Sequence, residues 1–159
     1  MKKNNLLIFV IVSACLFQSC NKDINKLIVG MWSIDTIYYQ NTDFKLCLNL
    51  NVIQLNDQSC ELPDIDNRCG FISKGGASYW EINWEERNPL ILNIYGNNHI
   101  FNGQHTLKFK KDEINKLLKM EIESDDLLII CRKGLLDYDG NLNAIESLLE
   151  MQSNQHAKD

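Results

Sequence analysis

The chain has 159 residues, a formal net charge of −5 at pH 7 and six cysteines. Its length suits a single domain built around one hydrophobic core. The acidic balance argues against nucleic acid as a partner, because nucleic-acid binding depends on clustered lysine and arginine. The sequence contains no long block of like charges and no basic patch that would offset this balance.

The first residues have the three parts of a secretory signal peptide. A basic start, Met1 to Lys3, precedes an apolar run from Leu6 to Phe17, and the small residue Ser19 stands before Cys20. The run is shorter than the ~20 residues of a membrane-spanning helix. It also lacks a polar face, so it does not have the pattern of an amphipathic helix of the folded domain. We therefore predict that residues 1–19 are a signal peptide.

The cysteine at the cleavage point resembles the lipobox of bacterial lipoproteins, in which the thiol is diacylated and becomes the first residue of the mature chain. Ser19 and Cys20 carry this resemblance, whereas Phe17 and Gln18 depart from the residue types usual in that family. The alternative, Val12 to Cys15, matches those types better, but cleavage there would shorten the apolar run to about half. The resemblance implies a lipid anchor on Cys20. Buried acyl chains contribute ~0.8 kcal/mol per methylene, and two or more chains hold a protein on a membrane.

Cleavage before Cys20 removes two lysines and no acidic residue, which changes the formal charge from −5 to −7. Residues 20–26 are then predicted to be a tether, residues 27–152 the folded domain, and residues 153–159 a polar, disordered tail. Asn21 stands where an aspartate would resemble the inner-membrane retention signal of lipoproteins in enteric bacteria, so the resemblance implies the outer membrane, at its periplasmic face or at the cell surface. The membrane is thus one expected partner, to which the protein would be attached through its lipid anchor.

Four cysteines lie within the predicted domain: Cys47, Cys60, Cys69 and Cys131. In an exported domain an even number of cysteines indicates disulfides, and four allow three pairings. Cys60 and Cys69 flank a turn-rich segment and could close a short loop. Cys47 and Cys131 would then pair with each other or remain buried thiols. The cysteines lack a C-x-x-C spacing and a nearby histidine, so no zinc site is predicted.

From Leu27 onward, short segments with alternating, β-branched and aromatic residues are separated by turn signals. The eight strand candidates are WSIDTIYY, FKLCLNLNVIQL, RCGFIS, SYWEINW, LILNIYG, HTLKFKK, LKMEIES and DLLIICRK. Such a series predicts an all-β protein, an antiparallel meander of about eight strands. A meander that must hide its edges tends to close into a barrel.

A C-terminal helix is predicted after the last strand. In the segment LNAIESLLEMQ, the apolar residues Leu142, Ile145, Leu148 and Leu149 fall at helical spacing. Asn141 or Asn143 can cap the start of this helix.

The triplet Gly30-Met31-Trp32 resembles the Gly-x-Trp signature of lipocalin-like (calycin) barrels. In that family the tryptophan closes one end of the barrel, and a basic residue of the last strand packs over it. Arg132 stands at the matching place, so the resemblance implies barrel-end closure by Gly30, Trp32 and Arg132. The chain thus resembles the small lipocalin-like lipoproteins of Bacteroidetes, over roughly residues 27–150. It lacks the second lipocalin motif, a Thr-Asp-Tyr run.

Two classes of function follow from this reading, and the family resemblance favours the first, with the second as the alternative. The first is a lipoprotein that binds a small hydrophobic ligand or envelope component in the barrel mouth. Trp80, Ile82 and Trp84 share one face of their strand and would either face such a ligand or pack in the core. The second is a protein-binding lipoprotein, an inhibitor of an envelope-directed hydrolase or a toxin immunity protein, which presents loops such as 60–69 to a basic partner. An empty pocket favours the first class, and a filled barrel with an acidic or aromatic loop patch favours the second.

No catalytic constellation is found. The histidines His99, His105 and His156 have neither metal-ligand nor triad spacing. A nucleophile elbow and a glycine-rich phosphate loop are also absent from the sequence. We therefore predict no enzymatic activity, no catalytic residue, no metal and no cofactor.

Overall fold

The computed structural model describes residues 27–66, 69, 76–87, 89–134, 145–146, 149–150 and 152, with side chains in the strand 76–87 described for 78–83. The predicted signal peptide, the tether, the tail and both candidate anchor cysteines, Cys15 and Cys20, lie outside these residues. The strands are β1 (Gly30–Tyr39), β2 (Thr42–Asp43), β3 (Val52–Leu55), β4 (Ser59–Leu62), β5 (Gly76–Arg87), β6 (Leu90–Tyr95), β7 (Gly103–Asp112), β8 (Leu117–Glu123) and β9 (Leu127–Gly134).

The strands form a closed antiparallel barrel. From β3 to β9, each strand pairs with the next one in the chain, and β1 pairs with both β3 and β9. The barrel therefore has eight strands, while β2 is a short addition on β1. Closure gives each barrel strand two neighbours and so removes the exposed edges of an open sheet. The predicted all-β, eight-stranded meander that closes as a barrel is confirmed.

One strand candidate was misplaced. The long candidate FKLCLNLNVIQL is a strand only from Val52 onward, and its first half contains a short 3-10 turn, Lys45–Cys47. The apparent alternation there is misleading, because Leu46 and Leu50 are exposed, whereas Cys47, of the opposite parity, is buried together with Phe44 and Leu48. The strand β4, which has only four residues, was not predicted. The segment RCGFIS was instead counted among the eight strand candidates, and the structure describes only its Cys69.

Alternate residues of the barrel strands point inward and fill the interior. We call these residues the inner face, and each of them is at most 9% exposed. Most are large aliphatic or aromatic side chains, each of which contributes roughly 1.5–3 kcal/mol when fully buried. The inner face consists of Trp32, Ile34, Ile37, Ile53, Leu55, Cys60, Leu62, Ser78, Trp80, Ile82, Leu90, Leu92, Ile94, His105, Leu107, Phe109, Leu118, Met120, Ile122, Leu127, Ile129, Cys131 and Lys133.

The barrel has two distinct ends. At the tryptophan end, β1 begins and β9 finishes, and Leu27 and Ile28 are fully buried just before β1. The opposite end, here called the loop end, carries the connections 40–41, 44–51, 96–102 and 124–126, together with residues 63–66 and 69 of the connection after β4. Side chains from these connections are buried at the loop end and cover the interior there: Phe44, Leu48, Ile65, Ile100 and Phe101.

The predicted C-terminal helix is not supported. Its described residues, 145–146, 149–150 and 152, have helical backbone, but these short pieces do not define a helix. Gln152 nevertheless contacts the barrel: the backbone N–H of Phe109 donates to its Oε1 at 2.9 Å, and its Nε2 donates to the carbonyl of Leu107 at 3.1 Å. The side-chain amide thus pairs with β7 as a neighbouring strand would. Within the described ranges, no helix is long and apolar enough to cross a membrane.

Candidate functional site

Trp32 closes the tryptophan end of the barrel. Its ring is fully buried and lies 6.2 Å from the ring of Phe109, measured between centroids. The indole Nε1 donates a hydrogen bond of 2.7 Å to the carbonyl of Ile28. Above the ring, the ammonium of Lys133 lies 4.6 Å from the centroid and donates to the carbonyl of Val29 at 2.7 Å. A cation over an indole face is favourable, and both polar groups of this end are hydrogen-bonded.

The basic residue over Trp32 is Lys133 and not Arg132. Alternation along β9 turns residues 127, 129, 131 and 133 inward, so Arg132 points away from the barrel. Its Nε lies 3.0 Å from Oδ1 of Asp35 in a half-exposed ion pair on the outer face. The expected position was therefore wrong by one residue, because the consecutive apolar residues from Leu127 to Cys131 do not indicate which of them face the interior.

Gly30 is required by this closure. Its φ of +126° lies in a region that residues with a side chain rarely adopt, and a Cβ at this position would lie 3.3 Å from Nζ of Lys133. The structure therefore brings Gly30, Trp32 and Lys133 together. The arrangement closes and stabilises the barrel, and it leaves no polar group of Trp32 free for a ligand.

Trp80 and Ile82 belong to the inner face, as their equal parity predicts. Trp80 is 6% exposed, and its Nε1 donates to the carbonyl of Asn56 at 2.6 Å. Ile82 is also buried. Both residues pack in the core, and neither lines the recesses described below. The side chain of Trp84 lies outside the described residues.

The disulfide joins Cys47 to Cys69, whose Cα atoms are 6.0 Å apart. The expected pair Cys60–Cys69 is not formed, because Cys60 points into the barrel from β4, whereas Cys69 lies beside the turn that contains Cys47. The backbone N–H of Asp66 donates to the carbonyl of Cys47 at 2.8 Å, which aligns the two segments. The disulfide thus fastens two connections of the loop end to each other.

Cys60 and Cys131 are free, buried thiols. Burial raises the pKa of Cys60 to about 11 and, with a smaller contribution from Asp35, the pKa of Cys131 to about 12. Both thiols therefore stay protonated at neutral pH. A protonated, buried thiol is a poor nucleophile and a poor metal ligand.

Two recesses open at the loop end, one on each side of the turn between β8 and β9. The first has a volume of about 440 Å³ and is lined by Tyr39, Ile100, His105 and others. The second, of about 390 Å³, is lined by Tyr38 and Asn41. Both recesses share residues 123–127, which include Glu123, Asp125 and Asp126. We call residues 123–126 the acidic turn. In the sequence, Asp125 lies between the last two strand candidates and Asp126 begins the last one, and neither residue indicates a recess.

His105 lies at the floor of the first recess and is 3% exposed. Its Nε2 is 2.8 Å from the carbonyl of Phe101, which can only accept, so Nε2 carries the hydrogen. Its Nδ1 is buried without a hydrogen-bond partner. Burial lowers the pKa of His105, and the bond to Phe101 opposes this effect only in part. The imidazole is therefore neutral at neutral pH.

The neutral state of His105 makes stability depend on pH. An unfolded chain would protonate this side chain near the unperturbed pKa of 6.5, whereas the folded chain resists protonation. The free energy of unfolding should therefore fall as the pH decreases below about 6.5. His105→Gln keeps a donor for the Phe101 carbonyl but does not titrate, so its melting temperature should fall less over the same range. If the melting temperatures of the two proteins fell by the same amount across this pH range, this account would be contradicted.

Among the residues that the structure describes, no group of three histidine, cysteine, aspartate or glutamate side chains is arranged to hold a metal ion. Comparison of the chain with models of protein families, with curated proteins and with solved structures finds no match. The site is therefore defined by its own geometry: a filled, closed eight-stranded barrel whose loop end carries a disulfide, an acidic turn and two recesses.

Proposed function

We propose that this protein is a lipid-anchored envelope protein with a lipocalin-like barrel, and that it works by binding another protein at its loop end. The anchor on Cys20 and the export signal are inferred from the N-terminal sequence. The lipocalin-like class is inferred from Gly30 and Trp32, together with the barrel that they close. We propose a binding role and no catalysis.

The filled interior is the observation that carries this proposal. All inner-face residues are at most 9% exposed, and Phe101 and Ile65 are buried at the loop end. A hydrophobic compound inside the barrel would have to displace such side chains. The loss of one large core side chain costs about 2–5 kcal/mol, which sets the scale of that penalty. The barrel is therefore better suited to support its loops rigidly than to enclose a ligand.

The loop end has the properties of a preorganised binding surface. The disulfide between Cys47 and Cys69 holds two connections in place, which reduces the entropy that would be lost on binding. Leu46 and Leu50, beside the disulfide, are 85% and 65% exposed and offer apolar contact area. The carboxylates of the acidic turn, in a chain of net negative charge, favour encounter with a basic protein. A basic envelope-directed hydrolase or a basic toxin fits this description.

Site-specific photo-crosslinking tests the proposal in the producing cell. A photoreactive amino acid placed at Asp125 should cross-link the full-length protein to a basic protein, identified by mass spectrometry. The matched control is the same substitution at Glu113, which is acidic and exposed but lies in the β7–β8 turn at the tryptophan end. Equal cross-linking from both positions would contradict a docking surface at the loop end.

A second function is favoured by the size of the first recess. Its volume of about 440 Å³ lies within the range of small-molecule sites, and Tyr39 and Ile100 supply apolar contacts. A small envelope component could bind there, at the barrel mouth and outside the filled interior. Native mass spectrometry of the full-length protein in mild detergent would detect it as a releasable mass. In the variant Thr106→Trp the larger side chain fills the recess. If this variant no longer carried the releasable mass, the ligand would be assigned to the recess.

A further inference from the structure

The outer face of the barrel carries two exposed tyrosines side by side. Tyr79 of β5 and Tyr95 of β6 are directly opposite each other in the antiparallel pairing. Tyr79 is 67% exposed and Tyr95 is 50% exposed. Directly opposite residues in such a pair have Cβ atoms about 5 Å apart, so the two exposed side chains are neighbours and together offer an aromatic surface. Both side chains lie near the end of β6 that leads into the loop end.

Two carboxylates border this aromatic surface. Glu81 accepts a hydrogen bond of 2.6 Å from the hydroxyl of Tyr95. This bond raises the pKa of Tyr95, so the phenol stays protonated and neutral. A carboxylate has about four lone-pair sites, and one phenol occupies only one of them, so Glu81 can accept further hydrogen bonds. On β4, the exposed Glu61 pairs with Ala77, diagonally beside Tyr79.

The charges of the barrel wall are unevenly distributed. The strands β3, β4 and β6 contain no lysine or arginine, and β5 contains only Arg87 at its end. On β7 to β9, in contrast, basic side chains are interspersed with acidic partners: Lys108 with Glu123, Lys119 with Asp112, and Arg132 with Asp35. The wall around the tyrosines is therefore acidic, whereas β7 to β9 contain six basic and three acidic residues.

We propose that Tyr79, Tyr95, Glu81 and Glu61, here called the tyrosine patch, form a docking surface for an arginine or lysine side chain of a basic protein partner. This inference rests on the proposed protein-binding function and adds a contact outside the loop end. The cation lies over the tyrosine rings, and its N–H groups donate to Glu81. An arginine fits best, because its planar guanidinium can stack on a ring and bond a carboxylate at the same time.

The charge of the patch selects this occupant over a sugar. Exposed aromatic rings can also stack on carbohydrate, whose hydroxyls can donate to carboxylates, but a neutral sugar lacks the charge attraction that a guanidinium gains from Glu81 and Glu61. Tyrosine is enriched in protein interfaces, where it supplies contact area at a low cost in conformational entropy.

Fluorescence anisotropy with a labelled arginine–glycine heptapeptide tests the patch on the full-length protein in a neutral detergent at low ionic strength. The control peptide carries citrulline, which is neutral and nearly isosteric with arginine. The arginine peptide should bind more tightly than the citrulline peptide. Its affinity should fall about five- to tenfold in the double variant Tyr79→Ser, Tyr95→Ser and in Glu81→Gln. Glu113→Gln removes the same charge from the opposite end and should leave the affinity unchanged.

Tyr95→Phe separates the ring from its hydroxyl. This variant keeps the aromatic face and releases Glu81, so the arginine peptide should bind at least as tightly as it binds the unaltered protein. The proposal is overturned if Tyr95→Phe weakens binding as much as the serine variants, if citrulline and arginine peptides bind equally, or if the variants bind like the unaltered protein. Binding of a chitin oligosaccharide that depends on both tyrosines would also overturn it. None of these results depends on cross-linking from Asp125, which tests the loop end separately.

Discussion

Replacement of Trp32 by alanine is expected to lower the free energy of unfolding by about 3–5 kcal/mol, the largest effect of any single substitution considered. The ring is fully buried against Phe109, and its Nε1 satisfies the carbonyl of Ile28. Alanine would leave a cavity at the tryptophan end and would remove the surface over which Lys133 lies. Urea unfolding followed by circular dichroism measures this effect.

Two further substitutions separate the contributions at this end. Trp32→Phe keeps most of the buried volume but leaves the Ile28 carbonyl without its donor, so a loss of about 1–3 kcal/mol is expected. Met31→Ala is the matched control, because Met31 is the neighbouring residue but is 60% exposed. If Trp32→Ala were no more destabilising than Met31→Ala, the tryptophan would not be the closing element of the barrel.

The fold class could be predicted because strand alternation and turn signals are local. The inner face of β8 follows directly from the alternation of apolar and polar residues. In β9 the residues from Leu127 to Cys131 are all apolar, so the choice between Arg132 and Lys133 as the residue over Trp32 needed the structure. The position of Gly30 before the tryptophan was also readable, although the reason for it, a positive φ beside Lys133, needed the structure.

The predictions failed for segments whose conformation depends on contacts with residues distant in the sequence. The first half of FKLCLNLNVIQL is apolar enough for a strand, but it is held by Cys69 through the disulfide and by the bridge between Leu48 and Ile65. The short β4 is a strand because β3 and β5 flank it, and four residues are too few for a periodic signal. The recesses and the tyrosine patch arise from strand register, which a single sequence does not specify.

Removal of the disulfide is expected to lower the free energy of unfolding by roughly 3 kcal/mol. Cys47 and Cys69 are separated by 22 residues, and closing a loop of that length restricts the unfolded chain by about this amount. The double variant Cys47→Ala, Cys69→Ala avoids unpaired thiols at these positions. Its unfolding midpoint should fall, and the unaltered protein should reach a similar midpoint when it is treated with a reductant.

The reductant also discriminates between the possible pairings. In the double variant it should have no effect, because Cys60 and Cys131 are free, buried thiols. A further loss of stability on reduction would show that these two cysteines are paired and would contradict the structure. The disulfide restrains segments that flank the exposed Leu46 and Leu50, so its removal should loosen the loop end while the inner face keeps its packing. Cross-linking from Asp125 should therefore weaken in the double variant at temperatures where the barrel is still folded.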